Sequence, residues 1–261
     1  MIQQQFAEKI ITIVKKDKSV IGLAVAGSWL TNEVDEFSDL DLILVTKDKV
    51  SDDKAKMVVY ANTFGKLLTG FTGEHVGEPR LLICLYDDPL LHVDIKFLTL
   101  QEFDAGVEMP IILWDTENQL QTILANTTAA YPQPDHQWIE DRFWIWVHYA
   151  ALKVGRGEYF EAIDFLSYLR MVVFGPLLHI KNGNLPRGVR KVETKLKAAD
   201  FEFLKSTIAT HDRSVIINAL DNAITLYQNL RKDLFSKGVK LQTETEKKVL
   251  EYWEEIKSYE L

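Results

Sequence analysis

The chain has 261 residues, 47% hydrophobic and 26% charged, the balance of a globular protein with a sizeable core rather than of a disordered or fibrous one. Its formal charge of −8 is uneven: residues 1–130 hold 11 Lys and Arg against 20 Asp and Glu, and the remainder holds 19 against 18. The acidic first half argues against a nucleic-acid partner, which would want a basic face, and no run approaches the ~20 apolar residues of a membrane span.

In chain order, the charged segment 1–18 lacks the apolar stretch of a signal peptide, so a cytoplasmic protein is expected. The apolar spacing from Ala7 to Val14 suits a helix. VIGLAVA (20–26) and LDLILVT (40–46) are short apolar runs bounded by turn residues and are predicted as strands. Residues 52–69 are predicted as a helix, and the Gly-rich GFTGEHVGEP (70–79) as a mobile or substrate-facing loop. RLLICLY (80–86), the turn Asp87-Asp88-Pro89 and LHVDIKFL (91–98) predict a β-hairpin, and IILW (111–114) one more short strand. Cys84 has no second cysteine to pair with, and its place in LLICLY predicts a buried thiol.

Beyond Pro132 and Pro134 the strand signals stop. Residues 137–154 are predicted as a buried helix and 158–181 as another, with a kink or break at Gly175-Pro176. A loop follows at 182–188, then helices over 213–236 and 242–258. Strands first and helices later predict an α+β fold, a small mixed-sheet domain over 1–130 followed by an α-helical bundle domain over 131–261.

The segment with chemistry in it is AVAGSWLTNEVDEFSDLDLILV, residues 24–45. A strand ends at Gly27-Ser28, and eleven residues after Ser28 comes Asp39-Leu40-Asp41, entering the next strand. Side chains two apart on a strand share a face, so Asp39 and Asp41 project together while Leu40 and Leu42 face the core. Two adjacent carboxylates repel unless a cation lies between them, and Mg²⁺ is commonly held by one or two carboxylates together with substrate phosphates. Gly27 and Ser28 permit close approach of backbone N–H groups to phosphate. A short helix starting near Trp29 would favour the same anion. Asp94 alternates with Val93 and Ile95, so it lies opposite those two. If its strand pairs beside the Asp39–Asp41 strand, three carboxylates converge, able to ligate a second metal or to leave one as a base.

Ala26-Gly27-Ser28 and Asp39-Leu40-Asp41-Leu42, with Asp94 on a third strand, resemble the motif of the polymerase-β-type nucleotidyltransferases over Val25 to Phe97. The order of a small α/β domain and a helical domain is similar to that of the antibiotic nucleotidyltransferases, which act on aminoglycosides and lincosamides. The resemblance implies two Mg²⁺ ions as cofactors, held by Asp39 and Asp41 with Asp94 as the third acid. It implies a nucleoside triphosphate, expected to be ATP, with Gly27 and Ser28 facing its β- and γ-phosphates. It also implies a Lys from the helical domain on the triphosphate, for which Lys153 is the candidate. Kanamycin-type enzymes carry their base, a Glu, one helical turn before that Lys; the matching residue here is Tyr149. The base is therefore Asp94, or else Glu140 or Asp141, with Asp94 preferred. The expected partners are the nucleotide and a small hydroxylated acceptor, in a monomer or homodimer. The alternative is a nucleotide-binding regulator or a protein-modifying nucleotidyltransferase. Arg142 and His148 are similar to an Arg-x5-His ribonuclease motif, but six residues on a helix turn through about 240°, off a common face. Trp138, Trp144 and Trp146 are expected in the core, and His75 and His92 carry no assigned role.

Overall fold

The apolar run Val20–Val25 (β1) is buried along its whole length, because it lies inside a six-stranded mixed sheet of order β3-β4-β5-β2-β1-β6. The other strands are β2 (Leu40–Thr46), β3 (Lys66–Gly73), β4 (Glu78–Asp87), β5 (Leu91–Thr99) and β6 (Ile111–Asp115). The computed structural model describes residues 1–259. The chain forms two compact units, Met1–Tyr131 and the part from Pro132 onward.

In the first unit, α1 (Ile2–Val14) and α2 (Lys54–Phe64) cover one face of the sheet. Phe6, Ile10 and Val14 from α1 and Met57, Ala61 and Phe64 from α2 meet Leu40, Leu42 and Leu44 of β2 and Val93, Ile95 and Phe97 of β5. The alternating pattern of β2 and β5 produces this face directly, since every second side chain points the same way. On the other face α3 (Gln119–Leu124) places Leu120 and Leu124 over Ala24, Val45 and Leu98. That cover lies toward the C-terminal ends of β2 and β5, whose first residues carry the polar side chains described below.

The hairpin expected from 80–98 is present as β4 and β5, antiparallel. The helix expected over 52–69 ends at Phe64, and the loop expected over 70–79 is largely strand: β3 pairs antiparallel with β4, matching Leu67 to Tyr86 and Thr72 to Leu82. The two glycines of KLLTGFTG suggested a loop, but β3 is an edge strand with both faces partly exposed, so burial imposes no alternation on it. Cys84 is buried, and burial pushes its thiol up to about 12, which leaves it unreactive.

The second unit is helical: α4 (His136–Gly155), α5 (Tyr159–Leu169), α6 (Gly175–Lys181), α7 (Val192–Lys195), α8 (Ala198–Lys205), α9 (Arg213–Leu234) and α10 (Thr243–Ser258). The break expected at Gly175-Pro176 appears as a π-helical turn over Arg170–Phe174 that passes into α6. Helices α7 and α8 were not expected; they are short and charged, without a readable apolar period. Tyr159–Lys181 is, contrary to the sequence reading, long and apolar enough to qualify as a membrane span by length and composition. Its Leu166, Leu169, Phe174 and Leu178 belong to the core of this unit.

Glu140 of α4 is fully buried. Its carboxylate accepts hydrogen bonds from the Tyr227 hydroxyl, from Arg231 at 3.3 Å and from the Gln242 amide at 2.9 Å. Phe143 stacks on Tyr227 with centroids 3.6 Å apart, so α4, α9 and α10 meet around one satisfied carboxylate.

Candidate active site

The site begins where β1 ends. Ala26 donates its amide to the Asp41 carbonyl at 3.0 Å, and the next residue, Gly27, turns with φ +63° into a short 3-10 helix, Gly27–Thr31. That φ is strained for a residue with a Cβ, and a Cβ there would overlap the Asp41 carboxylate. Gly27 is thus required twice, by its backbone conformation and by the side chain against it. Gly27→Ala is expected to leave a folded protein with activity lowered by about 100-fold or more, since it displaces the Asp41 carboxylate by more than an ångström; steady-state kinetics beside circular dichroism checks this.

β2 and β5 pair in parallel, and the register sets Asp41 beside Asp94. The condition set by the sequence, that the two acidic strands lie side by side, is met for Asp41 and Asp94, while Asp39 immediately precedes β2. Leu40, Leu42, Val93 and Ile95 point into the core while Asp41 and Asp94 stay partly exposed on the opposite face. Burial pushes the Asp94 carboxyl up; a bond from His92 Nε2 to its Oδ1 at 2.9 Å opposes that, and the nearby Asp39 charge adds to it. His92 therefore has a contact the sequence left unassigned. The readable signal was the i, i+2 spacing that puts His92 and Asp94 on one strand face.

Asp41 and Asp94 open on a cavity of about 260 Å³ that Arg80 and Lys96 also line. Glu78 holds both cations: Arg80 donates two bonds of 2.7 Å to its carboxylate, and Lys96 lies 2.7 Å from it. Arg80 foremost, with Lys96, draws the Glu78 carboxyl down to about 2 against burial. An unfolded Glu titrates near 4.5, so this stabilisation is complete above that pH and is lost as the pH falls toward 2. With solvent screening it amounts to about 2 kcal/mol. Urea unfolding should show Glu78→Gln less stable than the native chain at pH 7, the gap closing as the pH drops below 4.5.

No group of three His, Cys, Asp or Glu side chains among the described residues forms a preassembled metal cage. The donor chemistry nonetheless suits Mg²⁺, an ion that takes one or two carboxylates and completes its shell with water and phosphate oxygen. Asp41 and Asp94 stand in register, and the Asp39 charge is felt at Asp94.

Lys153 lies in the helical unit, its ammonium 2.8 Å from both Glu158 and Glu161. Tyr149, one helical turn before Lys153, donates its hydroxyl to Glu161 at 2.5 Å. Glu140 is fully buried and its carboxylate is occupied by three donors, an environment unsuited to a base. Asp141 accepts from Gln137 and Gln242, both at 2.8 Å, which pulls its carboxyl down, the wrong direction for a base. Arg142 covers the Trp138 ring while His148 lies against Tyr252, so the Arg-x5-His pair does not converge. Trp144 is core, as expected, but Trp138 is 38% exposed.

The model of one family, streptomycin adenylyltransferase, matches residues 2–256. The chain belongs to the streptomycin adenylyltransferase family. The match takes in both units and therefore the whole Gly27–Asp94 constellation, and the chain is a nucleotidyltransferase of the adenylyl-transferring kind. No curated protein matches it. The solved structures that resemble it weakly include two. One is an aminoglycoside 6-adenyltransferase from Bacillus subtilis, 17% identical, covering 98% of this chain and 99% of that one with a TM-score of 0.42. The other is a nucleotidyltransferase-like protein from Exiguobacterium sibiricum 255-15, 10% identical, covering 98% and 89% with a TM-score of 0.33. Neither likeness is close enough to bear on activity.

Proposed function

We propose that this chain transfers AMP from ATP to a hydroxyl of a small, amine-bearing acceptor of the aminoglycoside kind. The observation that carries the reading is the in-register pair Asp41 and Asp94 beside a glycine that only Gly can occupy. Asp39 and Asp41 would hold Mg²⁺, which neutralises charge on the triphosphate when bound. The Gly27 and Ser28 segment faces the β- and γ-phosphates. Asp94 takes the proton of the acceptor hydroxyl, its raised carboxyl being suited to a base and His92 orienting it. The acceptor oxygen forms a bond to the α-phosphorus as the α–β bridging bond breaks, and pyrophosphate leaves on the opposite side. The protein's contribution is chiefly positioning. Lys153 is the candidate for a further triphosphate contact, its ammonium now paired with Glu158 and Glu161.

The test is acceptor-dependent pyrophosphate release from ATP and Mg²⁺ across a panel of aminoglycosides, with labelled AMP followed into the product. Transfer to at least one, absent without Mg²⁺, supports the reading. ATP binding with no acceptor-dependent release overturns it in favour of a nucleotide-binding regulator. AMP recovered on protein instead makes the acceptor a macromolecule.

A further inference from the structure

The buried stripe of α1 is Gln3, Phe6, Ala7, Ile10 and Val14. Its period is helical, and at the first position it sets a glutamine where an apolar side chain would pack. Gln3 is fully buried. A buried amide without partners is costly, and Gln3 finds its partners far along the chain. Its Nε2 donates to the Asp35 carbonyl at 2.9 Å and to the Ser38 carbonyl at 2.7 Å. Both amide hydrogens are thereby used, while Oε1 has no hydrogen-bond partner, so the side chain is fixed by what it donates.

Those carbonyls belong to the loop that joins Gly27-Ser28 to Asp39. Its tip is a small self-bonded turn: the Asp35 amide donates to Ser38 Oγ at 3.0 Å, and the Phe37 amide and Ser38 Oγ donate to Asp35 Oδ1 at 3.0 and 2.9 Å. Phe37 is 87% exposed, so the turn's large apolar side chain does not anchor it. Gln3 joins the turn to the core, and the Ser38 carbonyl it grips belongs to the peptide bond leading into Asp39.

We propose that Gln3 is a positioning residue: by holding the Asp35 and Ser38 carbonyls it fixes the direction in which Asp39 enters β2 and keeps its carboxylate beside Asp94 and Asp41. The inference rests on the metal reading of Asp39 and Asp41 given above. Groups that orient metal-binding side chains typically change metal affinity or activity by about 10–100-fold when removed.

The experiment uses the full chain and Mn²⁺ as the probe, its binding followed by electron paramagnetic resonance in the presence of a non-cleavable ATP analogue. Amide exchange at residues 35–39 is followed in parallel. Gln3→Met keeps the length and loses the donors; Gln3→Asn keeps the donors and loses the reach, and guards against a Met variant that does not fold. Both should bind Mn²⁺ about 10-fold more weakly. Both should show a lowered kcat with the acceptor KM little changed, a metal requirement that higher Mn²⁺ partly satisfies, and faster exchange at 35–39. A residue that merely stabilised the fold would lower the melting temperature and leave the metal midpoint in place. Mn²⁺ affinity and kcat within twofold of the native chain in a folded variant overturn the proposal. Native protein that binds no Mn²⁺ overturns the metal reading and this inference with it; native binding that is lost in Asp41→Asn but kept in both Gln3 variants overturns this inference alone.

Discussion

Replacing Asp41 with Asn should abolish transfer and leave the fold standing. Asp41 sits between two core leucines on β2, in register with Asp94 and with its carboxylate against Gly27. Asn matches its size, so Leu40 and Leu42 keep their packing. On the role proposed for it, what is lost is one of the charges that would hold the metal-bound triphosphate, an interaction worth several kcal/mol; kcat/KM should fall by about 10³-fold or more. Stability should stay level or rise slightly, because Asp41 and Asp94 are like charges in register and neutralising one relieves repulsion. A folded Asp41→Asn variant that keeps a tenth of native activity would contradict the role given to this residue. A large drop in melting temperature would instead mark Asp41 as structural.

The second large effect is on stability and lies in the helical unit. Glu140→Ala should cost about 3–5 kcal/mol, the usual penalty for removing one partner of a buried ion pair. It strands the Arg231 guanidinium, the Tyr227 hydroxyl and the Gln242 amide together. Arg231 retains Glu246 at 2.8 Å, which places the loss toward the lower end of that range. Thermal unfolding should shift downward by roughly 10 °C for a unit of this size. Glu140→Gln, which keeps shape and hydrogen bonding, should lose less and should transfer at the native rate once folded. Loss of activity in folded Glu140→Gln would reopen the possibility that this carboxylate is the base.

Much of the candidate site was readable in the sequence because its parts are local. The Gly27-Ser28 turn and the alternation around Asp41 and Asp94 follow from strand geometry within a few residues, whereas Asp39 lies one residue before β2, outside the strand whose alternation was expected to orient it. The pairing of Asp41 with Asp94 was only conditional, since parallel neighbours fifty residues apart are matched by the tertiary fold, which no local period encodes. β3 was hidden for a different reason: Leu67 and Leu68 continue the helical spacing of α2, and an edge strand has no buried face to impress a period on its sequence. Helices α7 and α8 are too short for a period to emerge. His92 and Gln3 were legible in principle, one by its spacing from Asp94 and the other as the polar misfit in the stripe of α1. Each acquires meaning only from a partner that folding supplies. Glu140 shows the converse, a carboxylate near a candidate lysine in sequence that folding commits to Tyr227, Arg231 and Gln242.

The proposed reaction is adenylyl transfer to a hydroxyl acceptor at Asp39, Asp41 and Asp94. Mass spectrometry of an aminoglycoside after incubation with the native chain, ATP and Mg²⁺, with pyrophosphate measured in the same tube, tests it most directly. The expected result is an acceptor heavier by one adenylyl group, pyrophosphate in equal amount, and neither with Asp41→Asn. Adenylylated acceptor formed equally well by Asp41→Asn, or ATP consumed without any change in acceptor mass across the panel, would contradict it.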